Sequence, residues 1–365
     1  MPRGESLLIR GLHGSPSAIL VEDGRIAALG PEAESAESAA TLEADGWTAH
    51  PGFIDLQVNG IGELDFTRDP GSIGRAGSAL SRHGVTAFLP TIVSSPPGTV
   101  ESAADAWRAT SAQAFDGARP IGIHAEGPFL APGRSGAHDP TQLRAPDLAE
   151  IAGWMDAGVR MITLAPELPG ACEAIELIVS RGAIAAIGHT DADAATTTRA
   201  IDAGARYATH LFNAMPPLGH RAPGAVGALL DDERVTIGLI ADGRHVDPLV
   251  LSLAARAMRG RLSLVSDAVG DDLGGQPLVD GHRPDGVMAG GRAGVDEGVR
   301  TMAPLIGLDA AIEAVTAVPA ALLGLDDGRG ELRVGGLADV VLLTDDLEVA
   351  ATIAEGRSTL HATAP

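Results

Sequence analysis

The sequence has no lysine, only one cysteine and few aromatic residues. The 26 side chains counted as Lys or Arg are therefore all arginines. The lone Cys172 excludes an intrachain disulfide and any zinc cluster built from cysteines. Aromatic residues make up 3% of the chain, whereas hydrophobic residues as a whole make up 45%. A sizeable core is therefore expected, and it must be built mainly from Ala, Val, Leu and Ile.

Positive charge and long apolar runs are also scarce. The formal net charge is -22, which disfavours nucleic acids and anionic membranes as partners because both attract basic surfaces. No uninterrupted apolar stretch is long enough to span a bilayer. Residues 1–14 lack the apolar core of a signal peptide. We therefore predict a cytoplasmic protein that binds neither nucleic acid nor membrane.

The middle of the chain alternates short apolar runs with Ala-rich helical segments. This alternation predicts repeated strand–helix units, and eight such units over residues 51–330 are typical of a TIM (β/α)8 barrel. A doubly wound parallel sheet is the alternative. Polar residues at the ends of many different strands favour the barrel, whose sites form at that face. The candidate strands begin near Gly52, Gly84, Pro120, Arg160, Ala183, Arg206, Val235 and Arg261.

The two ends of the chain differ from the middle in their sequence pattern. Short strand-like runs with Gly-containing turns occur in residues 1–50 and again in residues 331–365. Neither end has enough strands to be stable alone. We therefore predict an α/β protein in which both termini form a small β-sandwich domain beside the barrel.

Carboxylate and imidazole side chains stand where several of these strands should end. Glu126 follows the apolar run at residues 121–123, His189 and His210 follow two later runs, and Asp267 follows a fourth. Such groups can converge on one divalent ion while a further coordination position stays open for water, as in catalytic zinc sites. The alternative for each residue is a hydrogen-bonded core group. Their shared position at strand ends favours a hydrolytic metal site.

Several longer stretches match the pattern of one family. Residues 124–129 and 209–215 are specific to that family, whereas residues 51–55 mark only its superfamily. In these stretches the chain resembles the N-acetylglucosamine-6-phosphate deacetylases, which belong to the amidohydrolase superfamily. The resemblance extends over nearly the whole chain and keeps the same order. The stretches are residues 51–60 (PGFIDLQVNG), 124–129 (HAEGPF), 163–167 (TLAPE), 188–192 (GHTDA), 209–215 (THLFNAM) and 241–245 (ADGRH).

The resemblance implies a metal-dependent removal of the acetyl group from N-acetylglucosamine 6-phosphate. It implies Glu126, His189 and His210 as the metal ligands and Asp267 as the general base and acid. His138 is then expected to polarise the amide carbonyl. A homodimer is implied as well, because in similar enzymes basic groups reach the site from the neighbouring subunit. Phosphate binding maps onto Asn213, Ala214, Arg221 and His245.

Two departures from the wider superfamily indicate a single metal ion. Enzymes with two ions usually carry His-x-His at the end of the first strand, where this chain has Gln57-Val58-Asn59. Many also bridge two ions with a carboxylated lysine, and this chain has no lysine. The expected ion is Zn²⁺, with Fe²⁺ or another divalent ion as the alternative. Gln57, Asn59 and His124 are expected to support the ligands.

The substrate is less clearly indicated than the reaction. Relatives carry hydroxyl residues near position 290, whereas residues 289–294 of this chain read Ala-Gly-Gly-Arg-Ala-Gly. This difference could change how the acyl group or the sugar is held. The alternatives are an amidohydrolase for N-acetylgalactosamine 6-phosphate, an N-acyl amino acid or a cyclic amide, and an inactive sugar-phosphate binding protein. A scaffolding role is disfavoured because so many reactive groups converge on one face.

Overall fold

The computed structural model describes residues 6–112, 117–258, 260–273 and 275–361. The outermost parts of the predicted terminal domain, residues 1–5 and 362–365, lie outside the described ranges. The chain begins with one small mixed sheet in the order β3-β2-β1-β4, and β5 joins a different sheet. The first elements are β1 (Ser6–Arg10), β2 (Ala18–Glu22), β3 (Arg25–Leu29), α1 (Pro31–Glu34), β4 (Ala40–Glu43) and β5 (Thr48–Pro51).

The middle of the chain forms the predicted barrel of parallel strands. Its staves, in spatial and chain order, are β6, β9, β11, β12, β13, β14, β15 and β16. A single parallel bridge between Val58 and Ala268 joins the last stave region to the first. The strands here are β6 (Phe53–Val58), β7 (Gly60–Ile61), β8 (Leu64–Asp65), β9 (Val85–Val93), β10 (Arg119–Pro120), β11 (Ile123–Glu126), β12 (Val159–Leu164), β13 (Ile184–Ile187), β14 (Tyr207–Ala208), β15 (Thr236–Leu239), β16 (Leu262–Leu264), β17 (Asp272–Leu273) and β18 (Gln276–Pro277).

Helices cover the outside of the barrel, and several begin at aspartates that the sequence supplies for capping. Asp147, Asp193 and Asp247 each accept a hydrogen bond from a backbone N–H in the first turn of the helix that follows. The helices are α2 (Gly77–Ser81), α3 (Thr99–Ser111), α4 (Leu148–Ala157), α5 (Ala171–Ser180), α6 (Ala194–Asp202), α7 (Gly224–Asp231), α8 (Pro248–Ala257), α9 (Val295–Ile306), α10 (Leu308–Glu313) and α11 (Ala317–Leu322), with short 3-10 helices at Pro70–Arg75, Pro132–Arg134 and Pro140–Gln142.

The C-terminal strands β19 (Val340–Leu343), β20 (Val349–Ala354) and β21 (Arg357–Leu360) return to the N-terminal region. They form an antiparallel sheet with β5, in the order β21-β20-β19-β5. Apolar side chains of both terminal sheets, such as Ile9, Ile19, Val340 and Ile353, share one buried cluster. The predicted pairing of the two chain ends is therefore present, while the limits of the domains at residues 50 and 331 stay a prediction.

Two apolar layers position the carboxyl ends of the barrel strands. Inside the barrel, Ile54, Leu56, Leu89 and Met161 pack with other inward-facing side chains. A larger layer lies between the strands and the helices. With both faces covered, each stave is buried and reads as an apolar run, as the sequence predicted. Among the described residues, no helix is both long and apolar enough to cross a membrane.

Candidate active site

Four of the predicted site residues meet at the carboxyl ends of the barrel strands. Glu126 is the last residue of β11, and His189, His210 and Asp267 follow β13, β14 and β16 within three residues. All four are buried. They line a cavity of about 240 Å³ together with His138. Larger cavities exist elsewhere, but none of these five side chains lines them. The cavity at the carboxyl ends of the strands, called the mouth of the barrel below, is therefore the candidate site.

The distances between the donor atoms fit a single metal ion. Glu126 Oε1 lies 2.9 Å from His210 Nε2 and 3.3 Å from His189 Nε2. The two imidazole Nε2 atoms are 3.1 Å apart. Nitrogen and oxygen ligands about 2.1 Å from zinc, at tetrahedral angles, are separated by about 3.4 Å. One carboxylate oxygen and two imidazole nitrogens thus stand at separations that a shared ion would impose, and these residues could hold a metal.

His138 offers a second possible grouping with Glu126 and His189, because their ligand atoms also lie within 4.8 Å of one another. The hydrogen bonds of the rings decide between the groupings. His189 Nδ1 donates to the backbone O of Arg134 at 2.8 Å, which leaves its Nε2 lone pair free to bind a metal. His138 Nδ1 instead accepts from the backbone N–H of Ser94 at 3.1 Å. The neutral His138 ring therefore carries its proton on Nε2, which makes that atom a donor and not a ligand.

The charges of the cluster agree with this assignment. Burial and, to a smaller extent, the neighbouring His189 together lower the pKa of His138 to about 3, so the ring is neutral near pH 7. Burial by itself would raise the pKa of Glu126. The close contacts with the His189 and His210 rings outweigh that effect and hold the pKa of Glu126 well below the usual range. The mouth of the barrel therefore presents a carboxylate anion beside neutral and basic imidazoles.

Asp267 is held in place by two amide side chains. Gln57 belongs to the first barrel strand, β6, and Asn59 directly follows it. Gln57 Nε2 donates to Asp267 Oδ1 at 2.9 Å and to Glu126 Oε1 at 2.9 Å. Asn59 Nδ2 donates to the same Asp267 oxygen at 2.8 Å. Burial and the negative charge of Glu126 together raise the pKa of Asp267 to about 7. A carboxyl group with a pKa near neutrality can both take up and release a proton.

The backbone carries strain at these same positions. His189, His210 and Asp267 have φ angles of 49°, 28° and 48°, and the nearby Phe212 and Ala214 are also in the left-handed region. Non-glycine residues rarely adopt this conformation, and it costs of order 1–3 kcal/mol per residue. Such strain persists only where the surrounding structure fixes it. It clusters here at the ends of the barrel strands, as is common in functional sites.

Three of the predicted phosphate-binding residues line the cavity, and the fourth does not. Asn213, Ala214 and His245 belong to the wall. His245 is oriented by Asp242, whose Oδ2 accepts from the ring Nδ1 at 2.8 Å. Arg221 is exposed, contacts His220 and does not line the cavity of its own chain. Within one described chain, therefore, Arg221 stands apart from the rest of the set.

The glycines at positions 290 and 291 lie directly against the backbone that carries Asp267. A Cβ on Gly290 would meet Asp267 O at 2.5 Å, and one on Gly291 would meet Ser266 O at 2.3 Å. Only glycine fits so close an approach. The adjacent Arg292 turns away from the cavity and donates to Gly270 O at 2.7 Å. The guanidinium at this unusual position is therefore used to anchor a loop.

The residues expected to support the metal ligands lie at two depths in the barrel. Gln57 and Asn59 contact Asp267 directly, as described above. His124 lies deeper in the barrel, where its Nε2 is 2.8 Å from Thr163 Oγ1. Ser94 was missed by the sequence analysis, although it follows the buried run of β9 as the other site residues follow their strands. Glu167 was quoted only as part of a motif, and its Oε1 accepts from the N–H of Asp191 at 2.6 Å beside His189.

Comparison with known proteins indicates one family over most of the chain. The amidohydrolase family model matches residues 48–359. An N-acetylglucosamine-6-phosphate deacetylase of Danio rerio is 39% identical over 338 residues, which is 84% of this chain and 83% of the relative.

Solved structures resemble the chain over almost its full length. The N-acetylglucosamine-6-phosphate deacetylase of Pasteurella multocida superposes with a TM-score of 0.90 at 28% identity and covers 98% of this chain and 100% of its own. A mutant of the Mycobacterium smegmatis enzyme, solved in complex with N-acetyl-D-glucosamine-6-phosphate, has a TM-score of 0.87 at 33% identity with the same coverage.

Proposed function

The chain belongs to the amidohydrolase family, and from this premise we propose that it is the deacetylase of N-acetylglucosamine 6-phosphate. The reaction cleaves the amide with water and gives acetate and glucosamine 6-phosphate. The observation that carries the proposal is the convergence of Glu126, His189 and His210 on one point beside Asp267, whose pKa is raised to about 7. An inactive sugar-phosphate binding protein would have no use for such a proton carrier.

Glu126, His189 and His210 would hold one divalent ion, and we propose Zn²⁺, with Fe²⁺ as the alternative. One carboxylate and two imidazoles are ligands that suit zinc, and iron accepts the same set. When bound, the ion supplies Lewis-acid polarisation of the amide and lowers the pKa of water. The hydrogen bond from His189 Nδ1 to Arg134 O supports this role, since it fixes the ring with Nε2 facing the other ligands.

Asp267 would move the proton in both halves of the reaction. Its Oδ1 already accepts two amide hydrogens, so Oδ2 is the oxygen that takes the proton from the attacking water. As the C–N bond breaks, the same oxygen returns the proton to the departing amine. His138 donates from Nε2 to the amide oxygen as negative charge develops there. The backbone N–H of Ser94 keeps that proton on Nε2.

Arg221 would complete the phosphate site from a second copy of the chain. In its own chain it is exposed, whereas Asn213, Ala214 and His245 line the cavity. We therefore propose a homodimer. We also propose a cytoplasmic location, as predicted from the sequence, because a phosphorylated sugar is too highly charged to cross a bilayer unaided.

Acetate release from a small set of substrates tests the proposal. Purified protein would be assayed as isolated and after chelation with N-acetylglucosamine 6-phosphate, its unphosphorylated form and N-acetylgalactosamine 6-phosphate. We expect chelator-sensitive release that is fastest with the first. Asp267→Asn, prepared in parallel, controls for contaminating deacetylases. Equal rates with and without the phosphate would contradict the substrate class, and faster release from the galactosamine epimer would reassign the substrate.

A further inference from the structure

Asp55 is a buried carboxylate that the proposed reaction does not use. It lies in β6, two residues before Gln57, and is 1% exposed. Placing a carboxyl group in the interior costs free energy unless hydrogen bonds compensate for the loss of water. A core residue with no special task at this position would be apolar, as its neighbours Ile54 and Leu56 are. The contacts of Asp55 indicate what its carboxyl group does.

One oxygen of Asp55 joins two segments that are far apart in the sequence. Asp55 Oδ1 accepts from the backbone N–H of Gln57 at 3.2 Å and from the backbone N–H of Ser266 at 3.3 Å. Gln57 carries the amide that bridges Glu126 and Asp267, and Ser266 directly precedes Asp267. Asp55 therefore fixes the backbone on both sides of the contact between Gln57 and Asp267.

Ser266 strengthens the same connection from the opposite side. Its Oγ donates to Gln57 O at 3.4 Å and accepts from the N–H of Ala268 at 3.1 Å. Together with the two bonds of Asp55, these contacts form a clamp between residues 55–57 and residues 266–268. The clamp, as defined here, spans the line where the barrel closes.

The closure of the barrel needs such a clamp because regular strand pairing is weak there. β16 ends at Leu264, and in the described part of the chain the ladder pairing between the first and last staves is the single bridge of Val58 with Ala268. Asp267 lies within this irregular segment and has a φ of 48°. Backbone bonds from Gly291 N–H to Asp267 O and from Asn59 N–H to Ala268 O, both of 2.8 Å, help to hold this segment. Neither involves Ser266, whose N–H bonds to Asp55, and a strained residue keeps its conformation only where the surrounding contacts fix it.

We propose that Asp55 is a positioning residue for the deacetylation: through the backbone of Gln57 and Ser266 it sets the place of Asp267 relative to Glu126. The catalytic part of this inference rests on the proposed function, whereas the clamp itself does not. The bonds of Asp55 need only an acceptor at Oδ1, and Oδ2 has no hydrogen-bond partner among the described residues. An amide at this position should therefore preserve the clamp, and a methyl group should not.

Asp55→Ala and Asp55→Asn are the two informative variants. A displacement of the reacting groups by about 1 Å can cost about 100-fold in rate, so we expect Asp55→Ala to lower kcat by about that factor. KM and metal content should stay near those of the wild type. Asp55→Asn should recover most of the loss. Asp339→Asn, which alters another buried aspartate far from the cavity, is the matched control and should leave kcat unchanged.

Amide hydrogen exchange tests the clamp without any substrate. Loss of an acceptor worth about 1 kcal/mol should speed exchange at Gln57 and Ser266 by roughly fivefold or more in Asp55→Ala. Asp55→Asn should keep the slow exchange. If wild-type protein released no acetate, the proposed function would fail while these exchange rates would still decide whether the clamp exists.

Three results would overturn the inference. They are a folded Asp55→Ala protein with wild-type kcat, equal losses in Asp55→Ala and Asp55→Asn, and loss of the metal in Asp55→Ala. If Asp55→Ala fails to fold, Ser266→Ala reaches the clamp from the other side and removes the bonds of Oγ. We then expect kcat to fall about tenfold with KM unchanged, and a wild-type kcat in Ser266→Ala would also overturn the inference.

Discussion

Two buried clusters of charged residues differ in how their charges are matched. The mouth cluster consists of Glu126, Asp267, His138, His189 and His210 at the carboxyl ends of the barrel strands. The junction cluster consists of Arg329, Asp327, Asp339 and Glu355, where the C-terminal sheet meets the loop that precedes it. Both clusters contain carboxylates that are largely or completely removed from water, so each must offset a desolvation cost.

The junction cluster offsets this cost within the chain. Arg329 Nε donates to Asp339 Oδ2 at 2.9 Å and Nη2 donates to Glu355 Oε1 at 3.0 Å, while Nη1 contacts Asp327. Asp339 Oδ1 also accepts from the backbone N–H of Glu355 at 2.7 Å. A planar guanidinium thus serves several carboxylates at once. A second guanidinium adds to this, because Arg119 Nη2 donates to Glu355 Oε2 at 2.8 Å.

In the mouth cluster, contacts within the chain offset only part of the desolvation cost. Glu126 and Asp267 are joined through Gln57 with no arginine near them among the described contacts, and the imidazole nitrogens of His189 and His210 face the same carboxylate oxygen. Gln57 Oε1 and Asn59 Oδ1 are buried without a hydrogen-bond partner in the described part of the chain. The difference teaches that the junction cluster matches its charges within the fold, whereas the mouth cluster leaves polar groups open for the proposed ion and substrate.

Asp267→Asn should give the largest effect, because it removes proton transfer and leaves the mouth otherwise intact. General acid–base catalysis contributes about 10²–10⁴-fold, so we expect kcat to fall by at least that range. The metal content and the melting temperature should be unchanged, since Asp267 is not one of the three ligands. Steady-state kinetics and metal analysis check both points. A variant that keeps substantial activity would remove Asp267 from its role.

Arg329→Met should do the reverse, costing stability and sparing catalysis. Breaking a buried ion pair by removing one partner costs about 3–5 kcal/mol because the other charge stays buried and unpaired. Denaturant unfolding would measure the loss, and kcat of the folded fraction should be unchanged. Arg333→Met, at an exposed position nearby, is the matched control and should change the stability by less than about 0.5 kcal/mol. Equal stability of the two variants would refute the role of the junction cluster.

His245→Ala should weaken binding of the phosphorylated sugar without slowing the chemistry. A hydrogen bond to a charged group contributes about 1.5–3 kcal/mol, so KM for N-acetylglucosamine 6-phosphate should rise about 10- to 100-fold while kcat changes little. The rate with the unphosphorylated sugar serves as the internal control and should be unaffected. A similar loss with both sugars would show that His245 does not act on the phosphate.

Arg292→Ala should have the smallest effect. Its guanidinium contacts Gly270 O and Asp271 at the edge of the mouth and its side chain is 37% exposed. Partly exposed ion pairs contribute about 0–1 kcal/mol, so kcat/KM should stay within about threefold of the wild type. A large change in the preference between N-acyl groups would mean that Arg292 contacts the substrate.

Much of the mouth could be predicted because strand ends are readable in a sequence. A buried run followed by a polar residue located Glu126, His189, His210 and Asp267, and the alternation of strands and helices gave the barrel. The same signal was present at Ser94 but was not used there, because a serine after a strand is common. The terminal sheets could likewise be expected from their short strands and turns.

Other features depend on contacts that no local pattern encodes. The proton position on His138 follows from the N–H of Ser94, which is 44 residues away in the chain. The left-handed backbone at His189, His210 and Asp267 is uncommon for non-glycine residues, and no local sequence pattern marks it. The effect of residues 289–294 on how the substrate is held stays a prediction, because the structure shows only that Arg292 donates to Gly270 O. The proposed role of Arg221 depends on the surface of a second molecule.

Metal analysis of three variants tests most directly whether Glu126, His189 and His210 form the ligand set. The wild type, His138→Ala and His210→Ala would be purified in parallel, loaded with Zn²⁺, dialysed and analysed for bound metal and for acetate release. We expect about one equivalent in the wild type and in His138→Ala, the latter with reduced kcat, and loss of the metal in His210→Ala. Loss of the metal in His138→Ala together with its retention in His210→Ala would contradict the assignment.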